Sequence, residues 1–381
     1  MPEAQRVQWT EGGVVHTARW RSEAGNPPPK RVQAVDDTLT ADAAFRLASE
    51  GTALLWRSDF QNARQLLQAM GRRADRKPRK APPAPASLTE AFHLHRQAQA
   101  QRARTLGRLL VELQGDYGIA LSRAPDLREA CAEAWGPTDG ESSLVSLREL
   151  QGAVGAHEWR RKGVEIAQLG APPGNRVHPH YGVFSPVRGE YLQLVAAAPL
   201  ASTALAFDIG TGTGVLAAIL ARRGVRRVVA TDMDPRALAC ARDNVARLGL
   251  QGQIEVVEAD LFPQGRAPLI VCNPPWLPGR ASAPLERAIY DEDSRMLRGF
   301  LQGLPAHLAP GGEGWLILSD LAELLGLRAP GEVAGLIEAA GLRVVARSTA
   351  RPLHPKAADP SDPLHAARAR EVTSLWRLAL P

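Results

Sequence analysis

An Asn-Pro-Pro-Trp turn, made of Asn273, Pro274, Pro275 and Trp276, directly follows the apolar run Leu269 to Cys272. The prolines stiffen the turn and remove backbone donors, which leaves the Asn273 side-chain oxygen and the Pro274 carbonyl free to accept hydrogen bonds. Such a pair suits a substrate NH2 group, and Trp276 can stack on a flat substrate. Hydrogen bonds from both N–H groups of the substrate to these two oxygens favour a more tetrahedral and therefore more nucleophilic substrate nitrogen. The alternative for the bare tetrapeptide is a structural turn.

A glycine-rich turn spans Phe207-Asp208-Ile209-Gly210-Thr211-Gly212-Thr213-Gly214, between a predicted strand and a predicted helix. Glycines allow a sharp turn and a close approach of the backbone to a ligand. A dinucleotide fingerprint requires G-x-G-x-x-G, but the position of its third glycine is taken by Val215. The spacing therefore argues against NAD, and a tight turn with no ligand is the alternative.

Two more acidic residues follow the next two apolar runs. Asp232, 24 residues after Asp208, is placed to accept the hydroxyl protons of a ribose. Alternatively, Asp234 caps a helix that begins at Pro235 and Asp232 is merely solvated. Asp260 can accept an adenine amino group beside an apolar wall, or it is an exposed turn aspartate.

Short apolar runs alternate with amphipathic segments from about residue 201 onward. The runs are Ala204 to Phe207, Arg227 to Ala230, Ile254 to Val257, Leu269 to Cys272, Trp315 to Leu318 and Leu342 to Val345. Helices are predicted to begin near Gly214, Pro235, Glu286 and Pro330. Buried parallel strands joined by crossover helices produce this alternation, so we predict an α/β fold with a doubly wound sheet.

Together, these motifs resemble the class I S-adenosylmethionine-dependent methyltransferases, in the amino-methylating branch marked by Asn-Pro-Pro-aromatic. The resemblance covers roughly Val177 to Leu380 and implies a Rossmann-like, seven-stranded sheet with S-adenosyl-L-methionine as cofactor. It implies that the cofactor-binding residues are Asp208, Gly210, Thr211, Gly212, Gly214, Asp232, Asp260, Leu261 and Asn273. The implied acceptor-binding, catalytic residues are Asn273, Pro274, Pro275 and Trp276.

The segment from Val183 to Tyr191 looks like the one before the cofactor loop in release-factor glutamine methyltransferases, which methylate a glutamine side-chain amide. Trp276 and Pro186 to Glu190 depart from the Tyr and the Pro-Arg-Pro-Glu-Thr-like run usual in that family. A glutamine of a protein, such as a translation factor, is the expected acceptor. The alternatives are the adenine amino group of ribosomal or transfer RNA, which would stack on Trp276, and a non-catalytic methyltransferase-like binding module.

The region before the predicted sheet is expected to be a mainly helical substrate-recognition domain over residues 1–170, followed by a methyltransferase domain over 177–381. Helical spacing is present from Asp42 to Arg72 and from Leu88 to Leu113, and a Pro/Arg-rich linker lies near 72–87. The segment from Arg72 to Arg108 contains ten basic residues: Arg72, Arg73, Arg76, Lys77, Arg79, Lys80, Arg96, Arg102, Arg104 and Arg108. Only Asp75 and Glu90 oppose them, so the region either attracts RNA phosphates or is a solvated linker.

Composition sets the remaining limits. The 381 residues carry a net charge of +6 and three cysteines without a C-x-x-C pair, which argues against a disulfide framework or a cysteine-rich zinc site. His178 and His180 flank a proline and have no recognisable third ligand, so no metal is predicted. No signal peptide or membrane-spanning run is recognisable, and we expect a soluble, cytoplasmic protein. The sequence does not predict an oligomeric state.

Overall fold

The computed structural model describes residues 5–76, 84–281, 284–352 and 359–381. The chain forms two compact units, one of residues 1–86 with 93–158 and the other of 87–92 with 159–381. The first unit thus ends at residue 158, about a dozen residues before the end expected for the N-terminal domain at residue 170. Lys77, Arg79 and Lys80 of the predicted linker lie outside the described residues.

The first unit is built on a six-stranded mixed sheet with the order β1-β2-β6-β5-β4-β3. Its strands are β1 (Arg6–Glu11), β2 (Val14–Arg21), β3 (Val32–Val35), β4 (Ala53–Trp56), β5 (Leu109–Leu113) and β6 (Ser143–Ser146). The helices are α1 (Ala41–Ser49), α2 (Phe60–Ala74), α3 (Leu88–Leu106), α4 (Arg128–Trp135) and α5 (Leu147–Lys162). Strands β3, β4 and β5 pair in parallel, as do β2 and β6, whereas β1 with β2 and β5 with β6 are antiparallel.

This sheet was not predicted from the sequence, which indicated a mainly helical N-terminal domain. Helices α1, α2 and α3 lie largely within the two predicted helical segments, but β4 interrupts the first segment and β5 forms the end of the second. Asp59 caps α2 by accepting hydrogen bonds from the backbone N–H groups of Gln61 and Asn62. However, β4 and β6 are four residues long and fully buried, so neither shows the period of two that identifies a half-buried strand. The apolar residues of β4 instead fitted the helical spacing predicted from Asp42 to Arg72.

The second unit contains a seven-stranded sheet with the order β11-β10-β9-β12-β15-β17-β16. Its strands are β9 (Leu205–Ile209), β10 (Arg227–Asp232), β11 (Ile254–Glu258), β12 (Ala267–Cys272), β15 (Leu308–Ser319), β16 (Arg343–Ala350) and β17 (Thr373–Ala379). Two small ribbons pair β7 (Val164–Glu165) with β8 (Arg176–Val177), and β13 (Leu277–Pro278) with β14 (Tyr290–Asp291). The helices are α6 (Glu190–Ala197), α7 (Val215–Arg222), α8 (Pro235–Arg247), α9 (Arg295–His307), α10 (Leu321–Leu324), α11 (Glu332–Ala339) and α12 (His365–Arg368).

The predicted Rossmann-like, doubly wound sheet is confirmed. All six apolar runs are strands, and successive residues of β12 alternate between two hydrophobic clusters, with Val271 in one and Ile270 in the other. Within this sheet only β17 runs antiparallel to the other strands. The helix predicted near Glu286 is a short 3₁₀ helix, Pro284–Ala288, and α9 begins only at Arg295.

Four strand ends meet at one edge of this sheet. Ile209 of β9 pairs with Thr231 of β10 on one side and with Cys272 of β12 on the other. Asp232 of β10 pairs with Glu258 of β11. Because these strands are parallel, the loops after them leave the same edge, where such sheets bind ligands. Among the described residues, no helix is long and apolar enough to cross a bilayer.

Candidate functional site

Asp208 is the most deeply buried acidic side chain at this edge, with no exposed surface. Its Oδ2 atom accepts hydrogen bonds from the Thr211 hydroxyl at 2.6 Å and from the Ala217 backbone N–H at 3.1 Å. Its Oδ1 atom is buried and has no hydrogen-bond partner among the described residues. Burial raises the pKa of Asp208 to about 6, against the opposing effect of these two hydrogen bonds. The site thus holds one carboxylate oxygen ready to accept a donor.

The glycines after β9 take a backbone conformation that other residues rarely adopt. Gly210, Gly212 and Gly214 have φ angles of +72°, +55° and +80°. A Cβ atom at Gly212 would meet nothing within 4 Å, whereas one at Gly210 would collide with the flexible end of Met296. The loop therefore has open space beside Gly212, whereas the Met296 side chain of α9 lies beside Gly210.

The glycine loop is tied to the end of β10. Asp232 accepts hydrogen bonds from the backbone N–H of Gly212 and from that of Asp234, both at 3.0 Å. Asp234 also caps α8 by accepting from the Arg236 N–H at 2.9 Å. Burial raises the pKa of Asp232, so this residue is not simply solvated. Asp232 and Gly212, predicted from separate motifs, are in direct contact.

Asp260, predicted to bind adenine, has an exposed side chain that forms a 2.6 Å ion pair with Arg295. This is the geometry of the alternative interpretation, an exposed turn aspartate, and the adenine contact remains a prediction. Leu261 has a φ of +74°, and its carbonyl accepts a 2.6 Å hydrogen bond from the Thr231 hydroxyl. Its side chain packs so closely on α9 that a Cβ at Gly299 would lie 2.6 Å from Leu261 Cδ1.

The Asn-Pro-Pro-Trp turn begins directly after β12. The Trp276 indole N–H donates a 2.9 Å hydrogen bond to Asn273 Oδ1, which fixes the orientation of the amide. A carbonyl oxygen has two lone pairs, so Asn273 Oδ1 retains one for a second donor. Pro274 is buried, while Asn273, Pro275 and Trp276 are half-buried.

Arg188 lies in the segment from Val183 to Tyr191, but no role for this residue was predicted from the sequence. The guanidinium carbon of Arg188 lies 4.9 Å from the centre of the Trp276 ring. Arg188 also donates hydrogen bonds to Glu190 at 2.7 Å and to Glu371 at 3.1 Å, and both glutamates are buried. Glu371 accepts a further 2.7 Å hydrogen bond from Ser319. Arg188 therefore holds one face of the indole in place.

Replacing Arg188 with alanine is expected to lower the free energy of unfolding by about 2 kcal/mol, because two buried carboxylates lose their cation. Thermal and urea unfolding of the purified variant measure this loss. Arg247→Ala is the control, because Arg247 pairs with Asp243 at a more exposed position and is expected to cost less than about 0.5 kcal/mol. Equal losses in the two variants would contradict the stabilising role of Arg188.

His178 and His180 both have partners within the protein. His178 Nδ1 lies 2.6 Å from the carbonyl oxygen of Arg160, and His180 Nε2 lies 3.1 Å from a carboxylate oxygen of Asp243. Cys272 is fully buried, and burial raises the pKa of its thiol well above the usual value. The thiol is thus kept protonated and is not an activated nucleophile.

The first unit places three side chains that could together ligate a metal. Glu129, Glu133 and His157 offer atoms within 4.8 Å of one another. His157 Nδ1 already lies 2.9 Å from Glu133 Oε2. This group was not recognised in the sequence, because its members come from two helices.

Residues 175–323 match the family model described as Methyltransferase small domain. The chain is 36% identical over 170 residues to a release factor glutamine methyltransferase of Cereibacter sphaeroides, an alignment that covers 41% of this chain and 58% of the relative. It is 38% identical over 147 residues to a ribosomal protein L11 methyltransferase of Pelotomaculum thermopropionicum, covering 37% and 39%. It is 34% identical over 112 residues to a ribosomal RNA small subunit methyltransferase C of Alcanivorax borkumensis, covering 29% and 30%. The chain therefore spans less than two thirds of the length of each of these relatives.

Proposed function

We propose, from the premise that residues 175–323 form a methyltransferase small domain, that this chain transfers a methyl group from S-adenosyl-L-methionine to a planar amide or amino nitrogen. One observation carries the proposal. The glycine loop and the Asn-Pro-Pro-Trp turn follow two strands that pair directly, with Ile209 opposite Cys272. A cofactor on the first loop and an acceptor on the second turn are then neighbours.

The residues at the end of β9 and β10 fit the cofactor. The unpartnered Asp208 Oδ1 supplies a buried acceptor for the ammonium group of its methionine part. The open surface at Gly212 leaves room for a ligand against the backbone. Each Asp232 oxygen accepts one backbone N–H and has capacity left for a ribose hydroxyl. When bound, this cofactor supplies an electrophilic methyl group on a sulfonium.

The Asn-Pro-Pro-Trp turn positions the acceptor nitrogen. Asn273 Oδ1 and the Pro274 carbonyl accept hydrogen bonds from the two N–H groups of this nitrogen. These hydrogen bonds favour the tetrahedral nitrogen that forms as the new N–C bond replaces the S–C bond. The methylated nitrogen then loses a proton readily, so no dedicated base is needed. Positioning and hydrogen-bond polarisation supply most of the rate.

The acceptor we favour is a glutamine side-chain amide of a protein. Its support is the similarity to a release factor glutamine methyltransferase, which is 36% identical over 170 residues. The second candidate is the amino group of an adenine in RNA. It is favoured by the Trp276 indole beside Asn273, on which a flat base can stack, and by the similarity to a ribosomal RNA methyltransferase.

Incubation with tritiated S-adenosyl-L-methionine and cell extract tests these acceptors. We expect label in a macromolecular fraction that protease releases and nuclease does not. Release by nuclease alone would replace glutamine by RNA. Cofactor binding in calorimetry, without label in any fraction, would instead indicate a non-catalytic binding module.

A further inference from the structure

The first unit contains a cavity that the proposed methyl transfer does not use. Its volume is about 450 Å³, and it is formed by residues of α2, α3 and α5. Three arginines line it, one from each helix: Arg72, Arg102 and Arg148. Asp75 is the one carboxylate among the lining residues. The cavity therefore carries an excess of two positive charges.

The positive charges that remain are those of Arg72 and Arg148. Arg102 is neutralised, because its Nε and NH2 groups donate to the two oxygens of Asp75 at 2.7 and 3.1 Å. In the part of the chain that the structure describes, the guanidinium groups of Arg72 and Arg148 make no hydrogen bond or ion pair, and both residues are exposed. Their donors are thus available to an anion.

The floor of the cavity is apolar and holds Arg102 in place. Leu67 and Leu106 line it and are buried. A Cβ at Gly71 would lie 3.3 Å from Arg102 NH2, so the absence of a side chain there lets the guanidinium lie against α2. Arginine donors above an aliphatic floor, with the amide of Gln151 beside them, suit a phosphate that carries an organic group.

We propose that this cavity, lined by Arg72, Arg102 and Arg148, binds a backbone phosphate of RNA. The charge of helix α3, which supplies Arg102, supports a polyanion over a single small anion. Helix α3 also carries Arg96 and Arg104, with Glu90 as its one acidic residue, and the whole chain has a net charge of +6. The proposal goes beyond the proposed function, because it holds whether the methylated nitrogen belongs to RNA or to a protein.

The test measures binding of the full chain to a fluorescein-labelled 20-nucleotide RNA by anisotropy over a series of salt concentrations. Replacing Arg72 and Arg148 together with glutamine is expected to weaken binding roughly tenfold per arginine, the scale of one charge-assisted hydrogen bond. The slope of log affinity against log salt should become shallower by roughly 0.7 per arginine removed. The matched control replaces Arg46 and Arg64 with glutamine, because both are exposed in the same unit and do not line the cavity.

Equal binding by the two double variants, or no binding of RNA by the unaltered protein, overturns the proposal. Poly-L-glutamate of matched charge forms a second arm, and displacement of RNA by it at equal charge concentration would point to an acidic protein instead. RNA binding is measured in the absence of cofactor, and methyl transfer is measured separately with tritiated S-adenosyl-L-methionine. Failure of the RNA site and failure of the methyl-transfer proposal are thus separate results.

Discussion

Asn273→Ala is expected to lower the rate of methyl transfer by roughly 10²–10³-fold, the cost of removing one preorganised hydrogen-bonding group from a reacting centre. The variant loses the side-chain oxygen that accepts an N–H of the acceptor nitrogen, while the Pro274 carbonyl remains. Cofactor binding is expected to be largely intact, because Asp208, Asp232 and the glycine loop are unchanged. Transfer of tritiated methyl groups and calorimetry of cofactor binding measure the two effects separately.

Trp276→Phe is the control for this variant. The substitution removes the indole N–H that donates to Asn273 Oδ1 but keeps an aromatic ring and the acceptor oxygen. We expect it to slow transfer far less than Asn273→Ala, because Asn273 loses only its orientation. Normal turnover by Asn273→Ala would show that the assigned role of the side chain is wrong.

Asp208→Asn is expected to weaken cofactor binding by roughly 10- to 100-fold, because a charge-assisted hydrogen bond to the ammonium group is lost. The amide can keep one oxygen for Thr211 and Ala217, so the glycine loop retains its anchor. Its NH2 group would occupy the place of the unpartnered Oδ1, where it cannot accept a donor. Calorimetric titration at pH 8 measures the loss.

The same substitution is expected to change how stability depends on pH. Burial raises the pKa of Asp208 from 3.8 to about 6, so folding favours the protonated carboxyl. The corresponding stability is fully present below about pH 4 and is lost as the pH rises through about 6. Relative to Asp208→Asn, the cofactor-free protein should therefore lose up to about 3 kcal/mol between pH 4 and pH 8.

Urea unfolding of both proteins across this pH range measures the difference. Asp234→Asn is the control, because asparagine caps a helix as well as aspartate does and the residue lies in the same segment as Asp232. It should change neither the cofactor affinity nor the pH dependence. A constant difference between the unaltered protein and Asp208→Asn would mean that Asp208 does not titrate in this range.

The sequence was most informative where structure is local and repetitive. The central strands of the second sheet, β9 and β12 among them, are buried on both faces and therefore read as continuous apolar runs. The capping residues Asp59 and Asp234 could be predicted because a cap bonds to N–H groups two or three residues away. The motifs after β9, β10 and β12 could be placed at the ends of their strands because each motif directly follows an apolar run in the sequence.

The missed elements depend on partners that are remote in the sequence. Strand β17 lies between β15 and β16, and no local pattern requires an antiparallel strand to be inserted there. In the first unit, β4 and β6 are too short for their own periodicity to separate strand from helix. Their identity follows from pairing in the sheet.

The sequence by itself determined the fold class of the second unit, the ends of its strands and the residue types available there. Only the tertiary structure brought Arg188 onto Trp276 and joined it to Glu371, 183 residues away. It also left Asp208 Oδ1 buried without a partner and so raised the pKa of that carboxyl. The physical reason is that hydrophobic periodicity and capping act over a few residues, whereas burial and charge pairing depend on every segment that packs around a side chain.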